Sequence, residues 1–414
     1  MKEVVIISAV RTPVGNYGGG LRRVQAYDLA ALVLNEAIKR AKVEPASIDE
    51  VIMGQNYQSG EYVNIARMGL LKAGWPAEIP AFTLDRRCCS GLDAIGLAGM
   101  TIETENADTI VAGGVESMST AEFYIPGDNI KWEMGGVGDM PKGHGRLSMW
   151  GLPLYDRIQR ARVMSQPEER FGIMPTMMTW AETAAKTYNI SREEIDQWAL
   201  RSNQRAVAAT ESGKFKEEIV PVPVPQRKGE PVLLDKDEHP RPDTSLEALS
   251  RLRAVQGGVC TAGNSAGEND GAAVCVVTSA EKAKELGAEP MGYLKAYVQS
   301  GADPRHTWEA VPAAVNKALK KAGLTLDQID LIELHEAFAA QALANLRELG
   351  IPERDYDKVN VNGSCVAIGH PLGCTGARIM TTLLYEMKRR NARYGLETIC
   401  GGGGMGVCAI VERR

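Results

Sequence analysis

Ile48-Asp49-Glu50-Val51-Ile52 is answered by Ile329-Asp330-Leu331-Ile332, and each follows a helical stretch, carrying Ala37 in the first case and Ala318-Leu319-Lys320-Lys321-Ala322 in the second. The offset is constant across both elements, since 318 − 37 and 329 − 48 each give 281 residues. Further on, Cys89-Ser90-Gly91 matches Cys374-Thr375-Gly376, and Thr109-Ile110-Val111-Ala112-Gly113-Gly114 matches Thr398-Ile399-Cys400-Gly401-Gly402-Gly403. Matches that keep the same order read as duplication of a whole domain, not as a short solenoid repeat. Where two such halves face each other, loops from both can build one site. In this alignment Cys400 stands opposite Val111, so the halves are chemically unequal.

A chain of 414 residues has room for two or three domains and a substantial core. Its 44% hydrophobic and 24% charged residues are ordinary for a globular protein. The net charge of −5 provides no global basic field, so neither nucleic acid nor an anionic membrane is expected as a partner. Met1-Lys2-Glu3 runs straight into Val4-Val5-Ile6-Ile7, too short and too acid-flanked for a signal peptide. With no apolar stretch of spanning length, a cytoplasmic location is the expectation. None of the eight cysteines forms a Cys-x-x-Cys pair, so neither a metal site nor a disulfide framework is expected.

Strand-like Val4–Val10 is followed by a helix that Asp28 can cap, with Leu29, Leu32, Val33 and Ala37 on its apolar face. Val51-Ile52-Met53, Ala81–Leu84 and Thr109–Ala112 read as strands, with helices over Asn64–Lys72 and from near Cys88. This alternation indicates an α/β domain. Residues 122–250 break the rhythm. Gly135-Gly136, Pro141, Gly143, Gly145 and Gly151 argue for irregular structure, while Ser191 and Glu194 form a capping box before a long helix. Pro221-Val222-Pro223-Val224-Pro225 is excluded from a central strand. The α/β rhythm returns at Gly271–Val277 and Tyr293–Val298, then in a helix over Pro312–Ala322 with Gly323 behind it. The expected organisation is a first half in two pieces, 1–121 and 251–280, around an insertion at 122–250, followed by a second half at 281–414.

Cys88 sits at the expected strand-to-helix junction, followed by small residues, where a helix N-terminus can favour a thiolate. His370, in Ile368-Gly369-His370-Pro371-Leu372-Gly373, is flanked so that its ring can reach a thiol proton. His335, in Glu333-Leu334-His335-Glu336-Ala337-Phe338, ends the strand that repeats Val51-Ile52. It reads equally as a second site histidine or as a satisfied core residue. His144, His239 and His306 lie in stretches without further chemical signals and read as solvated or structural. Gly401-Gly402-Gly403-Gly404-Met405-Gly406 fits the dinucleotide pattern, but only eight residues follow it, too few to complete the unit. It reads better as a tight turn that bares backbone N–H groups beside Cys400.

These segments resemble the thiolase family nearly end to end. The resemblance rests on Ser8-Ala9-Val10-Arg11-Thr12-Pro13, Cys88-Cys89-Ser90-Gly91-Leu92, Gly113-Gly114-Val115-Glu116-Ser117-Met118-Ser119, Thr261-Ala262-Gly263-Asn264, His335-Glu336-Ala337-Phe338, Gly369-His370-Pro371-Leu372-Gly373 and Cys400-Gly401-Gly402-Gly403. It implies two duplicated α/β halves forming a five-layered αβαβα core with an inserted loop domain. It also implies an acyltransferase in which Cys88 accepts the acyl group, His370 activates it, and Cys400 moves a proton at the α-carbon. The N–H groups of Cys88 and Gly402 would hold the thioester oxyanion, and His335 with His370 the enolate oxygen. Coenzyme A is then a substrate and no further cofactor is implied. The partners implied are acyl-CoA, a second copy in a homodimer or dimer of dimers, and in some relatives a small zinc-ribbon/OB-fold protein.

Departures from the family pattern leave the core chemistry intact. His335 replaces an asparagine common in biosynthetic members and resembles degradative ones. Asp85 stands where asparagine is usual, and Ser265 is displaced by one position from the pantetheine-facing serine. Thr176-Met177-Met178 replaces a His-Met-Gly segment, while Arg227-Lys228 resembles the basic stretch near the nucleotide. Arg227, Ser265, Met177 and Phe338 are thus the candidate substrate contacts. Seven of the sixteen methionines fall between Met134 and Met178, in company with Trp132, Trp150 and Trp180. They read as an adaptable apolar wall for a bulky, branched or aromatic acyl group, or simply as loop-domain packing. The competing reading is a non-catalytic subunit of the same fold that binds acyl-CoA or scaffolds another protein.

Overall fold

The computed structural model describes residues 2–126 and 154–414. Trp132, Met134, His144, Trp150 and the glycines from Gly135 to Gly151 lie outside the described residues. The first half-sheet contains β1 (Val4–Arg11), β2 (Glu50–Gly54), β3 (Ala81–Leu84), β4 (Thr109–Ser117) and β5 (Asn269–Ser279), in the order β1-β5-β4-β2-β3. The second contains β6 (Gly292–Gly301), β7 (Leu331–Leu334), β8 (Tyr394–Gly401) and β9 (Met405–Glu412), in the order β6-β9-β8-β7. In both, the first two pairings are antiparallel and the next is parallel. The place of β3 is taken in the second half by one parallel bridge between Ile332 and Val359. The halves join through Val5 opposite Tyr293 and Ile6 opposite Gly292.

Register sharpens the duplication. Asp49 Oδ2 accepts the backbone N–H of Asp108 at 2.7 Å and of Thr109 at 2.9 Å. Asp330 Oδ2 accepts those of Arg393 at 2.9 Å and Tyr394 at 2.8 Å in the same way. Thr109 therefore corresponds to Tyr394, an offset of 285, which the Cys89–Cys374 match shares. Val51 lies opposite Val111 while Ile332 lies opposite Leu396, so the Thr109–Thr398 match is displaced by four residues. The counterpart of Cys400 is Val115, not Val111. Both segments are β-branched runs closed by glycines, and such a run resembles its partner in more than one register.

The helices that frame the core and the site are α1 (Ala26–Ala41), α2 (Ser90–Glu103), α3 (Arg157–Val163), α4 (Met178–Thr187), α5 (Arg192–Glu211), α6 (Ala310–Ala322), α7 (Ala339–Glu348), α8 (Cys365–Ile368) and α9 (Leu372–Arg390), and the expected helix near Asn64 is present as Ile65–Lys72. α1 packs on the first half-sheet, α6 on the second, and α2 with α9 between the two, which gives the five layers αβαβα. Covering both faces accounts for the unbroken burial of β1, β4 and β5, which read as continuous apolar runs without alternation. The two central helices meet through glycine. A Cβ on Gly376 would sit 2.3 Å from Leu92 N, and one on Gly91 2.8 Å from Ala377 N.

Local expectations shift in three places. α1 begins at Ala26, which puts Asp28 in its first turn, where it complements the helix dipole, and not at the cap. β4 runs straight through Gly113-Gly114, because a side chain at either would meet the backbone of Ala273 or Gly373. Pro312 occupies the third position of α6, still within the turn whose N–H groups have no helical partner. The proline-rich run forms a separate ribbon, Val222–Val224 against Val232–Leu234. Among the described residues, no helix is long and apolar enough to cross a membrane.

Candidate active site

Cys88 occupies the turn between β3 and α2, two residues ahead of the helix. Arg87 before it is held at φ +53°, a left-handed conformation of the kind that costs about 1–3 kcal/mol outside glycine. Asp85 Oδ1 supports that turn by accepting from Arg87 N–H at 2.7 Å and Asn56 Nδ2 at 2.8 Å. Ser90 Oγ closes it, accepting from Arg86 N–H and donating to Arg87 O, both at 2.7 Å. His370 follows Gly369 at φ +105°, where an added Cβ would collide with the Asn269 side chain. Asn269 Oδ1 in turn accepts the His370 N–H at 2.8 Å. Cys400 lies in the last turn of β8, and Gly402 follows it in the connection to β9.

Cys88, His370, Cys400 and Gly402 line one cavity of about 380 Å³, together with Met177, Ser265 and Phe338. His335 lies just behind the wall, fully buried. Its Nδ1 is 3.4 Å from Cys400 Sγ and its Nε2 3.3 Å from His370 Nδ1. His370 Nδ1 is also 2.8 Å from Thr375 Oγ1, whose hydroxyl donates to Pro371 O at 3.0 Å. With that proton committed, Thr375 accepts from His370 Nδ1–H, and the second imidazole nitrogen, Nε2, keeps its lone pair.

Burial dominates the electrostatics. It pushes the Cys88 thiol up to about 12, against the N–H of Gly402, the Arg87 guanidinium and its own N–H, all of which favour the thiolate. It also raises Cys400 well above the usual thiol range. His370 is pushed down to about 3 by burial and by Arg378 and Arg162, and His335 well below its usual value by burial and His370. The resting site therefore holds a neutral thiol and a neutral base in the lining of one cavity, not the thiolate that a helix N-terminus favours. Such a pair can transfer its proton during attack, and the converging N–H groups of Cys88 and Gly402 can receive an oxyanion.

Several contributors escape sequence reading. His239 borders the cavity as a half-buried histidine, with Nδ1 2.7 Å from Asn16 Oδ1, and burial lowers it to about 4. Glu116 accepts backbone N–H groups from Asn56, Tyr57 and Gly373 at 2.9–3.0 Å and so ties the cysteine-side loops to the start of α9. Glu336 accepts from Trp198 and Ser202 of α5, from Asn360 and from Val366 N–H, fastening the insertion to the His335 turn. Only spatial pairing reveals these roles, although two buried acids inside family motifs were available as a signal. His335, His370 and Cys365 bring ligand-type atoms within 4.8 Å of one another. Arg378 Nη2 lies 2.9 Å from Cys365 Sγ, a cation that disfavours a dication there.

Arg227 does not line the cavity. It is exposed in the turn of the ribbon, which the prolines keep off the main sheet. Among the described residues, Arg87, Arg162 and Arg241 are the arginines that line the cavity, and Arg241 is the exposed one. Four buried polar atoms of the lining residues have no hydrogen-bond partner: Asn56 Oδ1, Ser165 Oγ, Trp180 Nε1 and Ser265 Oγ. Groups of this kind are normally satisfied.

The model of the thiolase N-terminal domain matches residues 4–281 and that of the thiolase C-terminal domain residues 288–413. The chain is 46% identical over 413 residues to an acetyl-CoA acetyltransferase of Syntrophomonas wolfei, covering 99% of each chain. It is 44% identical over 417 residues to one from Cupriavidus necator, covering 100% of both. Among solved structures, Bacillus anthracis acetyl-CoA acetyltransferase superposes with a TM-score of 0.90 at 41% identity, covering 100% of this chain and 99% of that one. Human mitochondrial 3-ketoacyl-CoA thiolase superposes with a TM-score of 0.89 at 36% identity and the same coverage.

Proposed function

Because the chain belongs to the thiolase family and is an acyltransferase, we propose that it cleaves a 3-oxoacyl-CoA with coenzyme A through an acyl-Cys88 intermediate. The observation that carries this reading is the convergence of Cys88, His370, Cys400 and Gly402 on one cavity. His370 Nε2 takes the thiol proton as Cys88 Sγ attacks the 3-keto carbon, and the N–H groups of Cys88 and Gly402 hold the resulting oxyanion. The bond between C2 and C3 breaks, and the acetyl-CoA enolate takes its α-proton from Cys400. His335 Nδ1–H, donating to Cys400 Sγ, stabilises the thiolate that this leaves. Coenzyme A then removes the acyl group, and the reverse sequence is a condensation.

The partnerless Ser265 Oγ, near Phe338, supports pantetheine contact there, and Arg241 joins Arg227 as a candidate phosphate cation. Met177, Met178, Trp180, Tyr57 and Leu372 give the cavity the apolar wall that a bulky, branched or aromatic acyl group requires in a degradative role. A non-catalytic subunit has less support, since it would have no use for two thiols and a base oriented toward one space. A homodimer is supported by the edge of β3, unpaired on its outer side among the described residues, where Phe82 is exposed, together with exposed Val63, Met68 and Leu71. Light scattering tests that state, and co-purification tests the zinc-ribbon/OB-fold partner. The reading itself is tested by thiolysis assays with free coenzyme A over a panel from acetoacetyl-CoA to aryl 3-oxoacyl-CoA. Absence of cleavage across the panel overturns it, and a strong preference for acetoacetyl-CoA overturns the bulky-acyl part.

A further inference from the structure

The charges facing the cavity are unevenly matched. Among the described residues, its lining carries three guanidinium groups, Arg87, Arg162 and Arg241, but one carboxylate, Glu268. Arg162 and Glu268 pair with each other at 2.7 Å. Arg241 is exposed to solvent, which screens it. Arg87 is different: it is half-buried, it neighbours Cys88 in the chain, and among the described residues its guanidinium has one hydrogen bond, Nη2 to Ala161 O at 3.5 Å. No carboxylate lies within ion-pair distance of it among the described residues, because Asp85 is turned to the Arg87 and Asn56 N–H groups.

A half-buried guanidinium that lines the cavity, with no carboxylate partner among the described residues, is placed to bind an anion's oxygens in its fork. The left-handed backbone at Arg87, braced by Asp85 and Ser90, sets the direction in which its side chain leaves the turn. Resting on the thiolase reading, we propose that Arg87 is a specificity residue that receives a carboxylate at the far end of the acyl chain. The substrate class is then a 3-oxoacyl-CoA with an apolar middle and an anionic terminus. The other anion that could reach a guanidinium here is a phosphate of coenzyme A, and the two sources are separable by assay.

The test compares 3-oxoadipyl-CoA with 3-oxohexanoyl-CoA, equal in carbon number and differing at the terminus, in wild type, Arg87→Met and Arg87→Lys. The expected result is a preference of at least about tenfold in kcat/KM for the dicarboxylate in wild type, reduced but present in R87K and abolished in R87M. Equal slowing of both thioesters in R87M, or a raised KM for coenzyme A alone, overturns the proposal and assigns Arg87 to the thiol or to a phosphate. A wild-type preference for the neutral chain overturns it as well. Calorimetric binding of adipoyl-CoA and hexanoyl-CoA gives a readout without turnover. If neither 3-oxo thioester nor acetoacetyl-CoA is cleaved, the thiolase reading fails, while equal affinity for the two saturated thioesters defeats the Arg87 proposal itself.

Discussion

Thr375 Oγ1 stands 2.8 Å from His370 Nδ1 and holds the imidazole in the tautomer whose Nε2 can accept a proton. The hydroxyl has one proton, and Pro371 O takes it. Thr375→Val keeps the shape and removes the acceptor. It is expected to lower kcat about 10–100-fold with KM changed less than about threefold, as for other orienting partners of functional histidines. Thr375→Ser should restore most of the rate in the same steady-state assay.

Cys88 raised to about 12 and His370 lowered to about 3 leave both neutral through the physiological range. No inflection near 6.5 is expected in the acid limb of kcat/KM. Alkylation of Cys88 by iodoacetamide should rise about tenfold per pH unit to at least pH 10, since thiolate remains the minor species throughout. A rate plateau near pH 7 would show a resident thiolate.

Stability follows the same groups. His370 and His239, lowered to about 3 and about 4, bind fewer protons folded than unfolded below 6.5. Their contribution is complete above 6.5 and is lost as pH falls through the folded values. Glu116, raised to about 7, acts oppositely, stabilising most below its unfolded value of 4.5 and losing that contribution as pH rises through about 7. His239→Asn should therefore flatten the acid side of a melting-temperature profile measured by calorimetry between pH 4 and 6.5.

The two thiols separate by task. Cys400→Ala is expected to keep acyl transfer from acetyl-CoA onto Cys88, which needs no proton at the α-carbon, and to lose thiolysis by about 10²–10⁴-fold. Radiolabel retention on the protein measures the first, and loss of 3-oxoacyl absorbance measures the second. Equal loss of both would assign Cys400 to the thiol transfer itself.

Packing of the central layer sets a further expectation. Gly376→Ala places a Cβ 2.3 Å from Leu92 N, a backbone atom held within α2. Relief requires separating the helices that carry Cys88 and His370 at their starts, so a loss of about 1–3 kcal/mol should accompany reduced activity. Denaturant titration measures the first.

The duplication was legible in the chain because Asp49 and Asp330 do the same work in each half. Its exact register was not, since Thr109–Gly114 and Thr398–Gly403 are both β-branched runs ending in glycine, and only the hydrogen-bond ladder separates a four-residue shift. Cys88, His370 and Cys400 were legible because glycine-flanked motifs surround them. That His239 borders the cavity and that Arg227 lies away from it were not legible, because both depend on tertiary packing and not on a local motif. The neutral state of the thiol was equally hidden, because desolvation is a property of the closed cavity and not of a helix start.

The central claim is that Cys88 carries the acyl group, and peptide mass spectrometry after rapid mixing with a cleavable 3-oxoacyl-CoA, without added coenzyme A, tests it most directly. The account expects an acyl mass increment on the peptide containing Cys88, removed on adding coenzyme A and absent in Cys88→Ala. An increment on Cys400 instead, or turnover without any increment on Cys88, would contradict it.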